Sequence, residues 1–260
     1  MHSFNILLSC MHETDFSIIE ISNIKTNAVI INQCDKEEIK TWRIGKNKVT
    51  WVDTCERGLS NSRNMAIKYA DSDICLIADN DEVFDDDCED KIIQAYELIP
   101  DADIIIFNLH NKSTKLKNKI YRLRRMEMQR VVSWQITFKR ESLLKSGISF
   151  DPKLGAGTGN GAGEENKLLY DCYDKGLKIY HVPVNIGYMR ENESTWFQGF
   201  DAEFFYKHGM VTRYTLGLKM SLIYAGYYLI TKYPLYRKTI NPIRAGKKLF
   251  LGIFENRLSN

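Results

Sequence analysis

Cysteine is scarce in this sequence, and none of it is arranged in pairs. Cys10, Cys34, Cys55, Cys75, Cys88 and Cys172 are the only six in 260 residues, and no two form a CxxC. That excludes a disulfide scaffold and a zinc ribbon. It reads as six reduced thiols in a cytosolic protein. No segment has the 18 or more uninterrupted apolar residues of a membrane span. The start, MHSFNILLSCMHETD, has no basic region before its short apolar run, so it reads as a first strand and not as a signal peptide. Repeats, low-complexity tracts and a clear linker are also missing. Acidic residues nearly vanish from residues 205–260, which carry ten Lys and Arg against Glu255 alone, a surplus of nine. The whole chain is at +3, so the other 204 residues stand at −6.

What is present is ordinary for a folded domain. Apolar residues make up 44% and charged residues 27%, which excludes disorder, collagen and coiled coil. The length allows one to two domains. Short apolar runs at 4–10 (FNILLSC), 28–34 (AVIINQC), 48–52 (KVTWV), 74–78 (ICLIA) and 104–107 (IIIF) read as strands. Between them, 16–24, 59–70 and 85–99 read as helices. Residues 112–130 read as a basic loop, 131–138 (VVSWQITF) as a strand, 164–175 as a helix closed by Gly176, and 179–189 as extended. This βαβ rhythm implies an α/β fold with a doubly wound, mostly parallel sheet flanked by helices. A helical pattern follows from about Asp201, giving domains at 1–204 and 205–260. Ligands of such sheets bind beyond the carboxyl ends of the strands. That directs attention to residues 10–15, Asp35 and residues 79–82.

Asp79, Asn80, Asp81 and Glu82 crowd three carboxylates after a buried strand. Close like charges raise one another's pKa unless a cation neutralises them. Hard oxygen ligands there suit Mg²⁺ or Mn²⁺ with a substrate phosphate; a solvated acidic turn is the plainer alternative. Asp85, Asp86 and Asp87 precede the helical face of Cys88, Ile92, Ala95 and Ile99, and read as acids favouring a helix N-terminus. Arg63 lies four residues after Leu59 on the inward face of its helix. It needs an anionic partner, either a buried carboxylate or a nucleotide diphosphate. In GAGTGNGAGEEN, glycine takes every second position from 155 to 163. The pattern has neither the strand before it nor the acid after it that a dinucleotide fingerprint requires, so it reads as a mobile loop that a ligand or lid approaches. Glu164 and Glu165 open the next helix. Glu165 shares a face with Leu168, Leu169 and Cys172, as a helix cap or as a positioned base. The histidines read as structural, with His181 or His208 as a third metal contact at most.

The segments GLSNSRNMAI, ICLIADNDEVF and GEEN, in this order, resemble the family 2 glycosyltransferases of the GT-A fold, over about residues 4–200. The resemblance implies a nucleotide pocket starting at Ser9 and Cys10, and an acid reading the nucleobase, usually uracil, at Asp35. It implies a nucleotide-side arginine at Arg63 and a DxD motif of Asp79, Asn80 and Asp81. Within that motif Asp79 and Asp81 hold Mn²⁺ or Mg²⁺, with Asp81 as the direct ligand. It also implies an acidic pair at Glu164 and Glu165, the second being the catalytic base. That second position is commonly Asp, and Cys34 replaces a usual second acid beside Asp35.

The implied activity is metal-dependent inverting transfer from a nucleotide-diphosphate sugar, UDP-linked, to a hydroxyl of a glycan or lipid-linked acceptor in surface polysaccharide synthesis. The chain would then act in the cytoplasm at the inner face of the membrane. Two alternatives are a nucleotidyltransferase and a non-catalytic binding module. The first is disfavoured because residues 9–14 (SCMHET) lack the glycine and the basic residue of a phosphate loop after strand one. Residues 205–260, basic and aromatic, suit an anionic membrane surface, with packing on the body as the alternative. No nucleic-acid motif accompanies the charge.

Overall fold

The computed structural model describes residues 2–190 and 199–258. They divide into two compact units: Met1–Asp151 with Glu165–Asn192, and Pro152–Glu164 with Glu193–Asn260.

The first unit carries β1 (Phe4–Met11), α1 (Ser17–Ile21), β2 (Asn27–Gln33), β3 (Glu38–Ile44), β4 (Asn47–Thr54), α2 (Leu59–Tyr69), β5 (Ile74–Asp79), β6 (Glu82–Phe84), α3 (Cys88–Leu98) and β7 (Ile104–Asn108). After these come β8 (Tyr121–Arg122), β9 (Ile136–Lys139), α4 (Arg140–Ser146), α5 (Glu164–Asp174), whose first residue is grouped with the second unit, β10 (Ile179–Asn185) and β11 (Gly187–Met189). Nine strands form one sheet in the order β3-β4-β2-β1-β5-β9-β7-β10-β8, and β6 pairs with β11. β4, β2, β1 and β5 run parallel. Phe4, Ile6, Leu7 and Leu8 of β1 are fully buried, as are Ile74, Cys75, Leu76, Ile77 and Ala78 of β5. Apolar residues in continuous runs, without alternation, suit strands covered on both faces. The parallel α/β architecture read from the sequence is the one observed.

Several elements carry no apolar signal and emerge only here. β3 (EIKTWRI) is an exposed antiparallel edge strand rich in charge, which discourages further pairing. The expected strand at 131–138 is shorter, because Ser133–Gln135 form a 3-10 turn before β9. β9 is antiparallel to both its neighbours. α3 begins at Cys88, and Asp87 is its N-cap position.

The second unit contains the glycine-rich loop and three helices: α6 (Ala202–Thr231), α7 (Tyr233–Tyr236) and α8 (Pro242–Glu255). α6 is interrupted at Gly217, whose φ of 74° and ψ of 172° are not helical. α6 and α8 run antiparallel at backbone contact. A Cβ on Gly209 would lie 2.1 Å from the Leu249 carbonyl oxygen, and one on Gly252 would lie 2.0 Å from that of Tyr206. Phe205, Ala225, Tyr228, Tyr236, Ala245, Leu249 and Ile253 form this unit's core.

Candidate active site

Parallel pairing brings the carboxyl ends of β1, β2, β4 and β5 to one edge. Ser9 is level with Asp79, Met11 with Gln33, and Gln33 with Thr54. Successive side chains on a strand point to opposite faces. Ser9 and Cys10 therefore part company. The Ser9 hydroxyl accepts from Ser62 Oγ of α2 at 2.8 Å. The Cys10 thiol points into the core beside the Ile31 carbonyl, 3.5 Å away, and burial raises its pKa. Cys10 has only backbone to offer a ligand.

α2 starts after Gly58, whose φ of 106° favours glycine. Arg63 on its inner face is fully buried. Its Nη2 donates to both Asp79 oxygens, at 2.9 and 3.1 Å, and its guanidinium lies 5.4 Å from the Phe150 ring centre. Asn64 fixes Phe150 by two backbone bonds of 2.8 Å. The anionic partner that Arg63 requires is thus Asp79 itself. Ser133 Oγ also donates to Asp79, at 3.0 Å.

The turn after β5 is strapped from two sides. Asp79 N–H donates to Glu82 Oε1 at 3.1 Å. Arg190, just past β11, donates its backbone N–H to the Asp81 carbonyl at 2.8 Å and its guanidinium to the Asn80 carbonyl. Asn80 is exposed, whereas Asp81 is half-buried. Asp81 Oδ1 is inaccessible to solvent and has no hydrogen-bond partner among the described residues. Burial and then the Asp79 charge raise the Asp81 pKa, and the same two causes in the same order hold the fully buried Glu82 well above the usual carboxylate range. An oxygen without a donor beside a second carboxylate suits a divalent cation whose shell a diphosphate completes. Among the described residues no group of three or more His, Cys, Asp or Glu forms an all-protein cage. His181 Nε2 is engaged with Asn108 at 3.1 Å, and His208 lies among aromatic rings of the second unit.

Asp35 stands apart from this arrangement. Its side chain is 89% exposed and pairs with Arg57 at 2.6 Å. The buried acid nearby is Asp53, at the end of β4. Burial pushes its pKa up, but Lys36 at 2.8 Å and hydrogen bonds from Trp51, Asn32 and Cys34 outweigh that and hold it at about 2. Asp85, Asp86 and Asp87 are engaged by Lys91, His110, Lys25 and Asn23, as suits acids before a helix.

Glu164 is buried and Glu165 half-buried at the start of α5. A helical wheel turns Glu165 inward over Leu168 and Leu169. In a first turn, however, coverage comes from chain outside the helix, which a wheel does not carry. Asn166 of the same turn donates to the Met128 and Val131 carbonyls, at 2.9 and 3.1 Å. Val131 is two residues from Ser133, the donor to Asp79. This short bridge ties the first turn of α5 to the end of β5. In the second unit, the glycine loop and the start of α6 enclose a cavity of about 510 Å³, bordered by Gly159, Asn160, Lys207 and His208.

Sequence reasoning missed Ser133, Arg190 and Asp53 as parts of this edge. Only Asp53 had a usable signal, since it follows the apolar KVTWV as Asp79 follows ICLIA.

The fold has close counterparts among solved structures. The chain is similar to S. aureus TarS 1-349 in complex with UDP-GlcNAc, at 13% identity and a TM-score of 0.60, over 99% of this chain and 73% of that one. The complex of the same protein with UDP gives 12% identity and a TM-score of 0.61, over 91% and 73%. Mannosyltransferase PcManGT from Pyrobaculum calidifontis, in complex with GDP-Man and Mn²⁺, gives 11% identity and a TM-score of 0.55, over 100% and 88%. No curated protein matches the sequence. Residues 17–154, just over half of the chain, match the family described as Glycosyl transferase family 2, and the protein belongs to that family as a GT-A glycosyltransferase.

Proposed function

We propose that the protein transfers a sugar from a UDP-sugar to a hydroxyl of a glycan or lipid-linked acceptor in surface polysaccharide synthesis, with inversion and with the help of Mn²⁺ or Mg²⁺. One observation carries this reading: Asp81 Oδ1 is buried without a donor beside Asp79, at the carboxyl end of β5. Asp79 already accepts from Arg63 and Ser133. Asp81 is therefore the direct ligand, and Asp79 is the charge that Arg63 aims. When bound, a divalent ion would neutralise the charge gathering on the leaving diphosphate. Ser9, the backbone at Cys10, Asn80 and Asp35 would border the donor's nucleotide. Asp35 can meet a nucleobase only by leaving Arg57.

The protein's own groups complete the step. Glu165 takes the acceptor hydroxyl proton as that oxygen bonds to the anomeric carbon. The bond from that carbon to the diphosphate oxygen breaks, and the electron pair leaves with UDP. A single displacement inverts the carbon. Glu164, the more buried acid, positions the turn. Solved relatives named with UDP, UDP-GlcNAc and GDP-Man with Mn²⁺ support a nucleotide-sugar donor. We assign the transferase domain to 1–204, and to 205–260 an extension that rests on the cytoplasmic face of the membrane.

Calorimetric titration of UDP with and without Mn²⁺, on wild type and Asp81→Ala, tests the donor half. Metal-dependent binding that disappears in the variant is expected. Failure of wild type to bind UDP, with GDP, CMP and dTDP also failing, would leave a non-catalytic module. Separately, Glu165→Gln should abolish transfer and spare UDP binding. Full transfer by Glu165→Gln, with loss in Glu164→Gln, would reverse the two roles.

A further inference from the structure

We infer that the tip of the α6–α8 hairpin, residues 227–247, is an interfacial anchor for anionic lipid. This deepens the membrane-side placement proposed above and names the partner's chemistry and the residues that meet it.

Among the described residues, the two most exposed large apolar side chains are Ile230 (77%) and Ile243 (71%). They stand at the end of α6 and the start of α8, and the antiparallel packing of those helices puts both at the tip. Tyr227, Tyr233 and Leu235 are exposed beside them. The apolar exposure follows a definite helical face. Ile223, Tyr227 and Ile230 recur at i, i+4 and i+7, while Ser221, Ala225 and Tyr228 on the opposite face are buried. A helix that is apolar on both faces needs a second covering.

Charge identifies that covering. Lys232, Arg237, Lys238, Arg244 and Lys247 lie within the tip, and no Asp or Glu occurs between Glu203 and Glu255. Among the described residues none of these five bases forms an ion pair. The ion pairs of this region are Lys207 with Glu203 and Arg257 with Glu255, both at its margins. A second copy would bring two tips of the same sign together, which repel. A nucleic acid would match the charge but would leave Ile230, Leu235 and Ile243 in water. An anionic lipid surface answers both features: acyl chains take the aliphatic side chains, tyrosines sit at headgroup depth, and long basic side chains reach the phosphates. No described helix is long and apolar enough to cross a membrane, so the contact is interfacial.

The test is sedimentation of the full chain with phosphatidylcholine vesicles and with vesicles that also contain phosphatidylglycerol. Binding to the second kind alone, weakened by salt, is expected. Two variants separate the contributions. Ile230→Glu/Ile243→Glu changes only exposed side chains and should lose binding at any salt. Arg237→Gln/Lys238→Gln/Arg244→Gln should weaken partitioning on the order of a hundredfold at low salt. UDP titration of both variants should match wild type, which separates failure of the anchor from failure of the donor reading. No sedimentation of wild type with phosphatidylglycerol vesicles would overturn the inference. So would undiminished binding by the isoleucine variant, or dimerisation through this face without lipid binding.

Discussion

The edge of the sheet and the helical hairpin solve opposite problems. At the edge, Arg63, Asp53 and Glu82 are buried titratable side chains, and Asp79 is held by Arg63. The Arg63–Asp79 contact and the bonds around Asp53 are made wholly between the chain's own groups. Such bonds do not make the region more stable than apolar packing would, because desolvation offsets much of their gain. They fix where charge sits, and a ligand need not reorganise them. The hairpin is held by the reverse means. Its core is aromatic and aliphatic, its helices touch at glycine, and its charge is all on the outside. The contrast separates positioning from surface: one region holds charge inside for chemistry, and the other displays charge and apolar groups outside for contact.

The largest way to break the comparison is at Arg63. Arg63→Ala takes the guanidinium from Asp79, leaves it the Ser133 hydroxyl, and empties a fully buried space. Breaking such a pair costs about 3–5 kcal/mol, toward the lower end here because Asp79 is partly solvated. Urea unfolding should show that loss, and UDP binding should fall with it. A loss below about 1 kcal/mol would mean that the edge is not held by this pair.

In the hairpin the corresponding weak point has no charge. Gly252→Ala puts a methyl carbon 2.0 Å from the Tyr206 carbonyl oxygen, so α6 and α8 must separate. Overpacking of this kind costs about 1–3 kcal/mol. Hydrogen exchange should rise in α6 and α8 while β1 and β5 keep their protection.

Acid separates the regions further. His208 stacks on Phe204 with ring centres 5.6 Å apart and lies 4.3 Å from the Tyr228 ring, and its Nε2 has no partner among the described residues. Burial lowers its pKa from 6.5 to about 4. The unfolded chain therefore takes up a proton that the folded hairpin refuses. Stability from this group is complete above pH 6.5 and is lost as pH falls toward 4, by up to roughly 3 kcal/mol at one pKa unit per 1.36 kcal/mol. Asp53 is depressed from 3.8 to about 2, so its contribution is complete above its unfolded value and is lost only as pH falls from 3.8 toward 2. Protection of α6 and α8 should decline between pH 6.5 and 4 while β2 and β4 hold. His208→Phe should flatten that decline. If both regions lose protection together in wild type and variant alike, the distinction drawn from these two groups is wrong.

What could be read in the sequence followed from local pattern. Apolar runs gave the parallel strands, and the strand-end rule pointed to Asp79 and Asp81. The i+4 spacing from Leu59 turned Arg63 inward. The missing parts depend on distant partners: Ser133 meets Asp79 from 54 residues away, and Arg190 meets Asn80 from 110. No window of sequence contains such a pair. Cys10 is a different case, because alternation along β1 already forbids Ser9 and Cys10 from sharing a face. β3 was silent because an edge strand protected by charge has no apolar run to read.

The smallest expected effect asks whether the turn at Asp79–Glu82 is set by its straps or by its own backbone. Arg190→Met removes the guanidinium bond to the Asn80 carbonyl but keeps the backbone bond to the Asp81 carbonyl and the Glu82 bond to Asp79 N–H. It also removes a cation that lowers the Asp81 pKa. One lost hydrogen bond is worth about 1 kcal/mol, so metal-assisted UDP binding should weaken about fivefold, with little change in urea unfolding. Arg190→Lys keeps the charge without the planar fork. Recovery of binding in the lysine variant would assign the effect to charge at Asp81, and persistence of the loss would assign it to the geometry of the strap. Unchanged binding in both variants would mean that the backbone bonds alone set the turn, and that the edge positions its carboxylates by main chain where the hairpin positions its helices by glycine.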